Sequence, residues 1–383
     1  MKNIVLLGAT GSIGDSCLNV IRQNKEHFHL FGIGLGSNLD KAQQIAKEFS
    51  PEHIFIAESH PDKSHDLLQS HSNILNTENE LQALIQDPSV DIVISAISGF
   101  AGLKASYFAI DAGKTILIAN KESIVAAGDI LMPLAQTKNS EIIPVDSEHN
   151  AIHQCFPPHR DLKEISKIVI TASGGPFREK TFKELSGVTL QDALKHPTWS
   201  MGTKITIDSA TLVNKCLELI EAHYLFQIPE SQIEIMVHPQ SIIHSMVTFI
   251  DGSTIAQMSN PNMEVPIANA LGVDQRLPIN FEAIDFPGLN LSFEPILDGR
   301  DVIFEMAREV CNKKGNLGVI FNASNEIAVD AFLTKKIDFV DIYQVIQRTF
   351  NHFSCSKVNT LDDIFDYDKQ ARIQAEKVIK SLN

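Results

Sequence analysis

A glycine-rich turn near the N-terminus constrains the fold of this chain more than any other feature. Residues 8–14 read Gly-Ala-Thr-Gly-Ser-Ile-Gly, between the apolar run Ile4–Leu7 and a helical pattern that begins at Ile13. Glycines allow a sharp turn and a close approach to a pyrophosphate, whose charge the helix N-terminus stabilises. The pattern predicts a β-α-β unit that binds a dinucleotide. A glycine turn that serves packing alone is the alternative.

Further apolar runs extend this interpretation along the first part of the chain. They are continuous rather than alternating, which is typical of parallel strands covered on both faces. We expect strands at Ile4–Leu7, Leu30–Ile33, Ile92–Ile97, Thr115–Ala119 and Ile142–Val145. The alternation of strands and helices predicts a Rossmann-like, doubly wound α/β domain over residues 1–145.

The pattern changes after residue 145. Residues 146–272 combine predicted strands with a long helix and indicate a central α+β catalytic domain; the elements are a strand at Ile168–Ala172, a helix at Ser209–Phe226, and a hairpin of Ile243–Ile250 and Ser253–Met258. Residues 273–298 are rich in Pro, Asn and Gly and are interpreted as a linker. Residues 299–383 are predicted to form a C-terminal α-helical domain.

Composition excludes several classes of function. Lys and Arg total 32 against 47 Asp and Glu, a formal charge of −15 in 383 residues, so we expect no general affinity for nucleic acid or an anionic membrane. The five cysteines are never spaced as Cys-x-x-Cys, which argues against a disulfide framework. No apolar run approaches the roughly 20 residues of a membrane span, and no signal peptide is recognised. We therefore expect a soluble cytoplasmic protein.

The residues after the second and fourth predicted strands refine the cofactor prediction. NAD sites usually carry Asp or Glu after the second strand, but this chain has Gly36, Ser37 and Asn38 there. The absence of a carboxylate that would repel a 2′-phosphate favours NADP, although an ordinary polar turn remains an alternative. Lys121 and Glu122 follow the fourth strand at the same predicted sheet edge, where they either serve function or cap a helix.

An acidic segment offers a candidate metal site. If the strand that ends near residue 145 stays extended, Asp146 and Glu148 point to one face, where a hard cation such as Mg²⁺ or Mn²⁺ would relieve their repulsion. A solvated acidic helix start that binds no metal is one alternative. A zinc site at His149 and His153 is another, but the chain has no His-Glu-x-x-His motif.

Two segments indicate a phosphate site. Ser173 opens a Ser-Gly-Gly-Pro turn, and Asp208 or Ser209 is a predicted helix N-cap. On that helix Asn214, Lys215 and Glu218 share an arc of about 100°, although Lys215 and Glu218 could equally form a surface pair. The intervening segment, residues 196–202, carries the only tryptophan, Trp199, and is either a lid or part of the core.

The combination of motifs resembles the 1-deoxy-D-xylulose 5-phosphate reductoisomerase family, NADPH-dependent enzymes of the non-mevalonate isoprenoid pathway. The resemblance covers almost the whole chain. It rests on long motifs in the family's order, at residues 8–14, 119–123, 144–151, 173–178, 196–202, 208–218, 238–241 and 322–326.

The resemblance implies a set of site residues. The metal would be held by Asp146, Glu148 and Glu218. The substrate would be contacted by Lys121, Ser147, Glu148, Ser173, His196, Ser209, Asn214, Lys215 and Glu218, with its phosphate gripped by Ser173, Ser209, Asn214 and Lys215. NADPH would be lined by Thr10, Gly11, Ser12, Ile13, Gly36, Ser37, Asn38, Asn120, Glu122 and Gly202.

The resemblance also implies an activity and partners. The substrate would be a small phosphorylated sugar, isomerised and then reduced to 2-C-methyl-D-erythritol 4-phosphate by a homodimer with a mobile loop bearing Trp199. Ser37 departs from the family, which often has Lys there, and Lys41 is the candidate substitute near the 2′-phosphate. Two other hypotheses are an NADP-dependent semialdehyde or homoserine-type dehydrogenase, and a redox sensor that binds dinucleotide without turnover.

Overall fold

The computed structural model describes residues 1–57, 72–157, 161–199, 201–272, 275–297 and 299–382. The chain divides into two compact units. Unit 1 consists of Met1–Asn120, Pro133–Asn150 and Asn262–Glu282, and unit 2 consists of Lys121–Met132, Ala151–Pro261 and Ala283–Asn383. The domain division at 1–145, 146–272, 273–298 and 299–383 stays a prediction.

The helices and strands of the described residues alternate in the first part of the chain. The strands are β1 (Lys2–Leu7), β2 (Phe28–Leu35), β3 (His53–Ile56), β4 (Asn73–Leu75), β5 (Ile92–Ser95), β6 (Thr115–Ile118), β7 (Ile142–Pro144), β8 (Ile165–Ala172), β9 (Ile233–Val237), β10 (Ile243–Phe249) and β11 (Thr254–Met258). The α-helices are α1 (Ser12–Gln23), α2 (Leu39–Phe49), α3 (Glu78–Gln86), α4 (Leu103–Asp111), α5 (Lys121–Lys138), α6 (Ser147–Cys155), α7 (Leu190–Ala193), α8 (Thr203–Thr211), α9 (Val213–Phe226), α10 (Glu264–Leu271), α11 (Ile303–Lys313), α12 (Leu317–Leu333), α13 (Asp341–Phe350) and α14 (Leu361–Leu382).

Unit 1 contains a parallel sheet in the order β4-β3-β2-β1-β5-β6-β7. Its strand order reverses between β1 and β5, which is the point where doubly wound folds bind ligands at the carboxyl ends of the strands. Ile4, Leu6 and Ile94 are fully buried, as a sheet covered on both faces requires. The predicted Rossmann-like domain is confirmed.

The five strands predicted from apolar runs in unit 1 are present, with ends that shift by up to two residues. β3 and β4 were missed. β4 is three residues long and half exposed, so it carries little of the hydrophobic signal that identified its neighbours. α10 packs against α1 in this unit, and Asn19 Nδ2 donates a hydrogen bond to Glu264 at 3.1 Å.

Unit 2 contains a mixed sheet in the order β11-β10-β8-β9, in which β8 and β9 are parallel and the other pairs antiparallel. The predicted hairpin is confirmed as β10 and β11, joined by a turn in which Gly252 has φ +86°. The α+β character predicted for the middle of the chain is thus confirmed.

The predicted helix Ser209–Phe226 is wrong at its start. Leu212 adopts a left-handed conformation with φ +67° and separates α8 from α9. Asp208 and Ser209 therefore lie in the last turn of α8 and are not N-caps. A left-handed leucine costs energy that glycine would avoid, so tertiary contacts must hold this break.

The C-terminal part of unit 2 is helical, as predicted, and consists of α11 to α14. The predicted linker has no helix in its described residues, and Glu294 forms a single bridge with Val237. None of the helices in the described ranges combines the length and apolar character that crossing a membrane requires.

Candidate active site

The glycine turn of unit 1 lies at the point where the strand order reverses. Gly8 has φ +84°, and a Cβ there would lie 2.3 Å from the carbonyl oxygen of Ala96, which follows β5. The turn therefore requires glycine at this position. Gly11 is the N-cap of α1 and provides no side-chain hydrogen bond to it, so the amides of Ser12 and Ile13 open the helix without a side-chain cap.

A second turn, after β2, holds the residues predicted for the adenosine end of the cofactor. Gly36, Ser37 and Asn38 are exposed, and Asn38 Oδ1 accepts a hydrogen bond from the Lys41 amide at 3.2 Å. Lys41 Nζ donates to the carbonyl oxygen of Thr10 at 3.0 Å and to Asp15 at 2.6 Å. Lys41 thus contacts both turns predicted to line the cofactor, the second through its amide and the glycine turn through its ammonium.

Asn120 joins the ends of two neighbouring strands. Its side chain is buried, and Nδ2 donates to the carbonyl oxygens of Ile97 at 2.6 Å and Gly99 at 2.8 Å. These bonds fix the loop that follows β5 against the end of β6. Asn120 lies beside the point where the strand order reverses, which is where the cofactor is predicted to bind. Its hydrogen bonds also give the amide a structural role.

The paired-carboxylate argument assumed that the acidic segment stays extended, but the segment turns into a helix. β7 ends at Pro144 and α6 begins at Ser147, so Asp146 and Glu148 lie at a helix start. Asp146 Oδ1 accepts the Glu148 amide at 3.1 Å, and Ser147 Oγ donates to Glu148 Oε2 at 2.5 Å. Both carboxylates are half-buried rather than solvated. The helix-start alternative is correct for the backbone but wrong about solvation.

The histidines of the zinc alternative have other surroundings. His149 is fully buried, and its Nδ1 lies 3.1 Å from Asp146 Oδ1. Within the part of the chain that the structure describes, neither His149 nor His153 belongs to a group of three potential ligands. A zinc centre built on these two side chains therefore lacks its further protein ligand.

A buried charged cluster occupies the start of α5 and the first turns of α9 in unit 2. Lys121 Nζ donates to Asn214 Oδ1 at 3.0 Å and to Glu218 Oε1 at 3.2 Å. Lys215 Nζ donates to Glu218 Oε2 at 2.7 Å, and Asn214 Nδ2 donates to Oε1 at 2.5 Å. We call Lys121, Asn214, Lys215 and Glu218 the Glu218 cluster. All four residues were predicted to contact substrate. Lys215 and Glu218 are buried and are therefore not a surface pair, and Asn214 is half-buried.

The charges of the Glu218 cluster matter for its chemistry. Lys121 and Lys215 are each 6% exposed and Glu218 is 1% exposed, so two ammonium groups contact this carboxylate away from water. Buried charges are costly unless they are compensated. The ammonium groups suit an anionic ligand, and the carboxylate is a hard oxygen donor.

Ser173 and His196 form a second pair in unit 2. His196 Nδ1 accepts the amides of Thr198 at 3.2 Å and Trp199 at 2.9 Å, and its Nε2 lies 3.0 Å from Ser173 Oγ. Burial and the Lys215 ammonium lower the pKa of His196 to about 4, so the ring is neutral at pH 7 with its proton on Nε2. Ser173 Oγ accepts hydrogen bonds from that Nε2–H and, at 3.2 Å, from the Gly175 amide. The serine hydroxyl hydrogen is therefore directed at other acceptors.

The predicted lid segment ends at the start of α8. Gly202 is the exposed N-cap of that helix, and Trp199 is half-buried with its ring 6.2 Å from the ring of His244. Ser209, in the last turn of α8, is half-buried. The assignment of the segment as a lid stays a prediction.

One charged group was missed by sequence reasoning. Lys204 Nζ donates to Glu122 Oε1 at 3.0 Å and to Asp208 Oδ2 at 2.8 Å, and Asn325 Nδ2 donates to Asp208 Oδ1 at 2.9 Å. Burial favours a raised pKa for the Glu122 carboxyl, but the Lys204 ammonium, a backbone hydrogen bond and the Lys121 charge together lower this pKa below its usual value. The i, i+4 spacing of Lys204 and Asp208 was the available signal.

The chain matches three family models. They are 1-deoxy-D-xylulose 5-phosphate reductoisomerase over residues 4–128, the C-terminal domain of that reductoisomerase over residues 142–226, and the DXP reductoisomerase C-terminal domain over residues 258–374. Together these models span most of the sequence.

Curated relatives and solved structures agree with the family models. The reductoisomerase of Francisella tularensis subsp. novicida is 42% identical over 379 residues, covering 98% of each chain, and that of Zymomonas mobilis is 42% identical over 385 residues, covering 100% of this chain and 98% of that one. The solved structure of the Zymomonas mobilis enzyme in complex with NADPH superposes with a TM-score of 0.92 at 40% identity, covering 99% of both chains.

A further solved structure is that of DOX-P reductoisomerase in complex with NADPH, fosmidomycin and magnesium. It superposes with a TM-score of 0.92 at 37% identity, covering 100% of this chain and 99% of that chain. Full-length identity of this level, together with the three models, is sufficient to assign the family. The chain belongs to the 1-deoxy-D-xylulose 5-phosphate reductoisomerase family.

Proposed function

We propose that this chain converts 1-deoxy-D-xylulose 5-phosphate into 2-C-methyl-D-erythritol 4-phosphate, using NADPH and a divalent cation, as an oxidoreductase of the non-mevalonate isoprenoid pathway. The observation that carries the proposal is the buried Glu218 cluster, which joins a carboxylate, an amide and two ammonium groups in a member of this family. The dehydrogenase and sensor hypotheses give no reason for such a cluster.

The cofactor assignment concerns turns at the carboxyl ends of the unit 1 strands, together with Glu122 and Gly202 of unit 2. We assign NADPH to Thr10, Gly11, Ser12, Ile13, Gly36, Ser37, Asn38, Asn120, Glu122 and Gly202. A turn that only glycine fits at Gly8 and the uncapped start of α1 support a pyrophosphate there. The solved relatives that contain NADPH support the same cofactor.

The metal assignment concerns three carboxylates. We assign the cation to Asp146, Glu148 and Glu218, each of which offers one oxygen as a ligand. Such oxygen donors fit Mg²⁺ or Mn²⁺ better than zinc. A relative solved with magnesium supports the first of these ions. Because Lys121 and Lys215 both contact Glu218, a cation bound to this carboxylate would compete with the two ammonium groups for its oxygens.

The phosphate assignment concerns the other end of the substrate. We assign it to Ser173, Ser209, Asn214 and Lys215, with His196 and Ser147 also contacting substrate. The neutral His196 ring orients the Ser173 hydroxyl as a donor, and Lys215 supplies charge. Serine hydroxyls, an amide and an ammonium together suit a phosphate dianion.

These residues divide the work of the reaction. A bound divalent cation polarises the substrate carbonyl, and NADPH supplies the hydride. Ser173 and Lys215 anchor the phosphate, so that binding energy from the non-reacting end orients the carbon skeleton during its rearrangement to a branched aldehyde phosphate. Lys121 extends into the Glu218 cluster beside the reacting end. A closed segment over residues 196–202 would exclude water.

The direct test follows NADPH oxidation at 340 nm with 1-deoxy-D-xylulose 5-phosphate, with Mg²⁺ and after chelation, and identifies the product by mass spectrometry. We expect oxidation only when both the sugar phosphate and the cation are present. NADPH oxidation that continues after chelation of the metal would favour the dehydrogenase hypothesis. Tight NADPH binding without turnover would favour the sensor hypothesis.

The assembly and location are also proposals. We propose a homodimer formed through the middle domain; the edge strand β11, where Ile255 is 50% exposed, offers both apolar surface and unpaired strand edge. We propose a cytoplasmic location because all five cysteines are free thiols, as in a reducing compartment. Light scattering tests the first proposal and cell fractionation the second.

A further inference from the structure

Arg300 has an unusual environment in unit 2. Its side chain is 2% exposed and is among the largest fully buried side chains. Nη1 donates to the carbonyl oxygen of Phe177 and Nη2 to that of Ala210, each at 2.6 Å, while Nε has no hydrogen-bond partner among the described residues. Within the same described ranges it forms no ion pair with a carboxylate. A buried charge of this kind is costly, so it requires an explanation.

The two carbonyl groups belong to the two segments that we assign to the substrate phosphate. Phe177 lies in the turn that Ser173 opens, and Ala210 directly follows Ser209. The turn packs closely on the helix end, because a Cβ on Gly175, which has φ +66°, would lie 2.9 Å from the Ser209 carbonyl oxygen. Arg300 therefore connects the Ser173 turn to the end of α8 from the buried side.

The break at Leu212 explains why a cation is useful there. The last carbonyl groups of α8 have no partner within the helix, and the helix end carries a partial negative charge. Arg300 satisfies Ala210, and the Tyr343 hydroxyl donates to the Thr211 carbonyl oxygen at 2.9 Å. Without a compensating cation, this negative helix end would oppose a phosphate bound beside Ser209.

We propose that Arg300 is a positioning residue for the substrate phosphate. It holds the Ser173 turn in register with Ser209 and compensates the C-terminal end of α8, so that both hydroxyl groups serve one dianion together with Lys215. The planar guanidinium is suited to this task because its fork reaches two carbonyl groups at once. The proposal rests on the proposed function, since it takes the phosphate site from there.

The test compares Arg300→Lys with Arg308→Lys. Both variants keep the charge but cannot bridge two carbonyl groups. Arg308 donates to the carbonyl oxygens of Glu230 and Ile233, which belong neither to the Ser173 turn nor to α8, so its variant is the matched control. The measurements are KM and kcat with 1-deoxy-D-xylulose 5-phosphate, the Kd of inorganic phosphate by calorimetry, the Kd of NADPH, and Tm.

We expect Arg300→Lys to raise KM and the phosphate Kd together by about tenfold, with kcat and the NADPH Kd changed by less than about threefold. Arg308→Lys is expected to lower Tm while leaving KM and the phosphate Kd within about twofold of the parent. The joint rise of KM and phosphate Kd is the signature that a purely structural role would not produce.

Three results would overturn the proposal. The first is a folded Arg300→Lys variant with unchanged phosphate Kd, and the second is an equal rise caused by Arg308→Lys. If Arg300→Lys does not fold, Arg300→Gln, which needs no counter-charge, is measured in its place. The third result is that neither variant folds, which would make Arg300 a determinant of the fold. If the parent protein binds phosphate but does not turn over the sugar phosphate, the proposed function is contradicted instead. The phosphate Kd of the variants would still test whether Arg300 positions the phosphate site.

Discussion

The Nζ of Lys121 lies 3.2 Å from Oε1 of Glu218, and both side chains are almost fully buried. Lys121 is the first residue of α5, and Glu218 lies one turn into α9, so 96 residues of chain separate two groups that share a buried ion pair. Such a pair is costly to desolvate and is weak support for stability. Its place in the proposed site gives it a functional reason.

Glu218→Gln tests the role of the carboxylate. We expect metal-activated turnover to fall about 100-fold or more, because even indirect partners of a metal site typically contribute about 10–100-fold. NADPH affinity is expected to stay within about twofold, because no assigned cofactor contact is lost. Stopped-flow turnover, metal titration and NADPH fluorescence measure these quantities. Glu230→Gln, which disrupts the Arg308 ion pair elsewhere in unit 2, is the control. An equal loss of NADPH affinity would count against the division of roles.

His196 is expected to remain neutral to well below pH 6. Burial, and secondly the Lys215 ammonium, lower its pKa from 6.5 to about 4. Since the folded pKa lies below the unfolded one, the neutral ring contributes stability that is complete above pH 6.5 and is lost as the pH falls toward 4. Nitrogen-15 NMR should show an Nε2-protonated ring at pH 6, assigned with a His196→Gln variant. A ring that protonates above pH 6 would disprove this environment.

Lys41 is expected to contribute to the preference for NADPH. Its ammonium contacts the Thr10 carbonyl oxygen in the glycine turn, and its amide bonds to Asn38, so the ammonium can attract a 2′-phosphate at the cost of its contact with Asp15. Lys41→Gln should weaken NADPH binding by roughly fivefold, the effect of about 1 kcal/mol, and leave NADH unaffected. Ser37→Lys should strengthen NADPH alone, with Ser37→Gln as the uncharged control. If the substitution weakens NADPH and NADH binding equally, Lys41 would have a structural role in the two turns and not a role in cofactor preference.

Trp199 should report substrate binding. It is the only tryptophan, is half-buried, and its amide is held by His196 Nδ1 at 2.9 Å. Because His196 also contacts Ser173, a phosphate bound at that serine should change the emission of the indole. Titration with 1-deoxy-D-xylulose 5-phosphate measures the change, and 1-deoxy-D-xylulose without phosphate is the matched control. Indole emission that does not change when the sugar phosphate is added would favour a core role for the tryptophan.

Local sequence patterns were sufficient where burial alone decides structure. The central strands of unit 1 were predicted because their apolar runs are covered on both faces, and the Gly8 turn because backbone approach excludes a side chain there. The break at Leu212 could not be predicted, because no glycine or proline marks it. It depends on Arg300 and Tyr343, which come from segments nearly 90 and more than 130 residues away.

The site was predicted unevenly for a similar reason. The arc of Asn214, Lys215 and Glu218 followed from helix geometry, and the structure places all three in one cluster. Its link to Lys121 is a tertiary contact that periodicity does not encode. The extended geometry assumed for Asp146 and Glu148 failed because Asp146 accepts the Glu148 amide and starts a helix.

The most direct test is the position of the cation. Crystals grown with NADPH and Mn²⁺ would show the ion by its anomalous scattering. We predict one peak bonded to carboxylate oxygens of Asp146, Glu148 and Glu218, with the Lys121 ammonium displaced from Glu218. A peak held by other residues, or no peak under conditions that support turnover, would contradict the account.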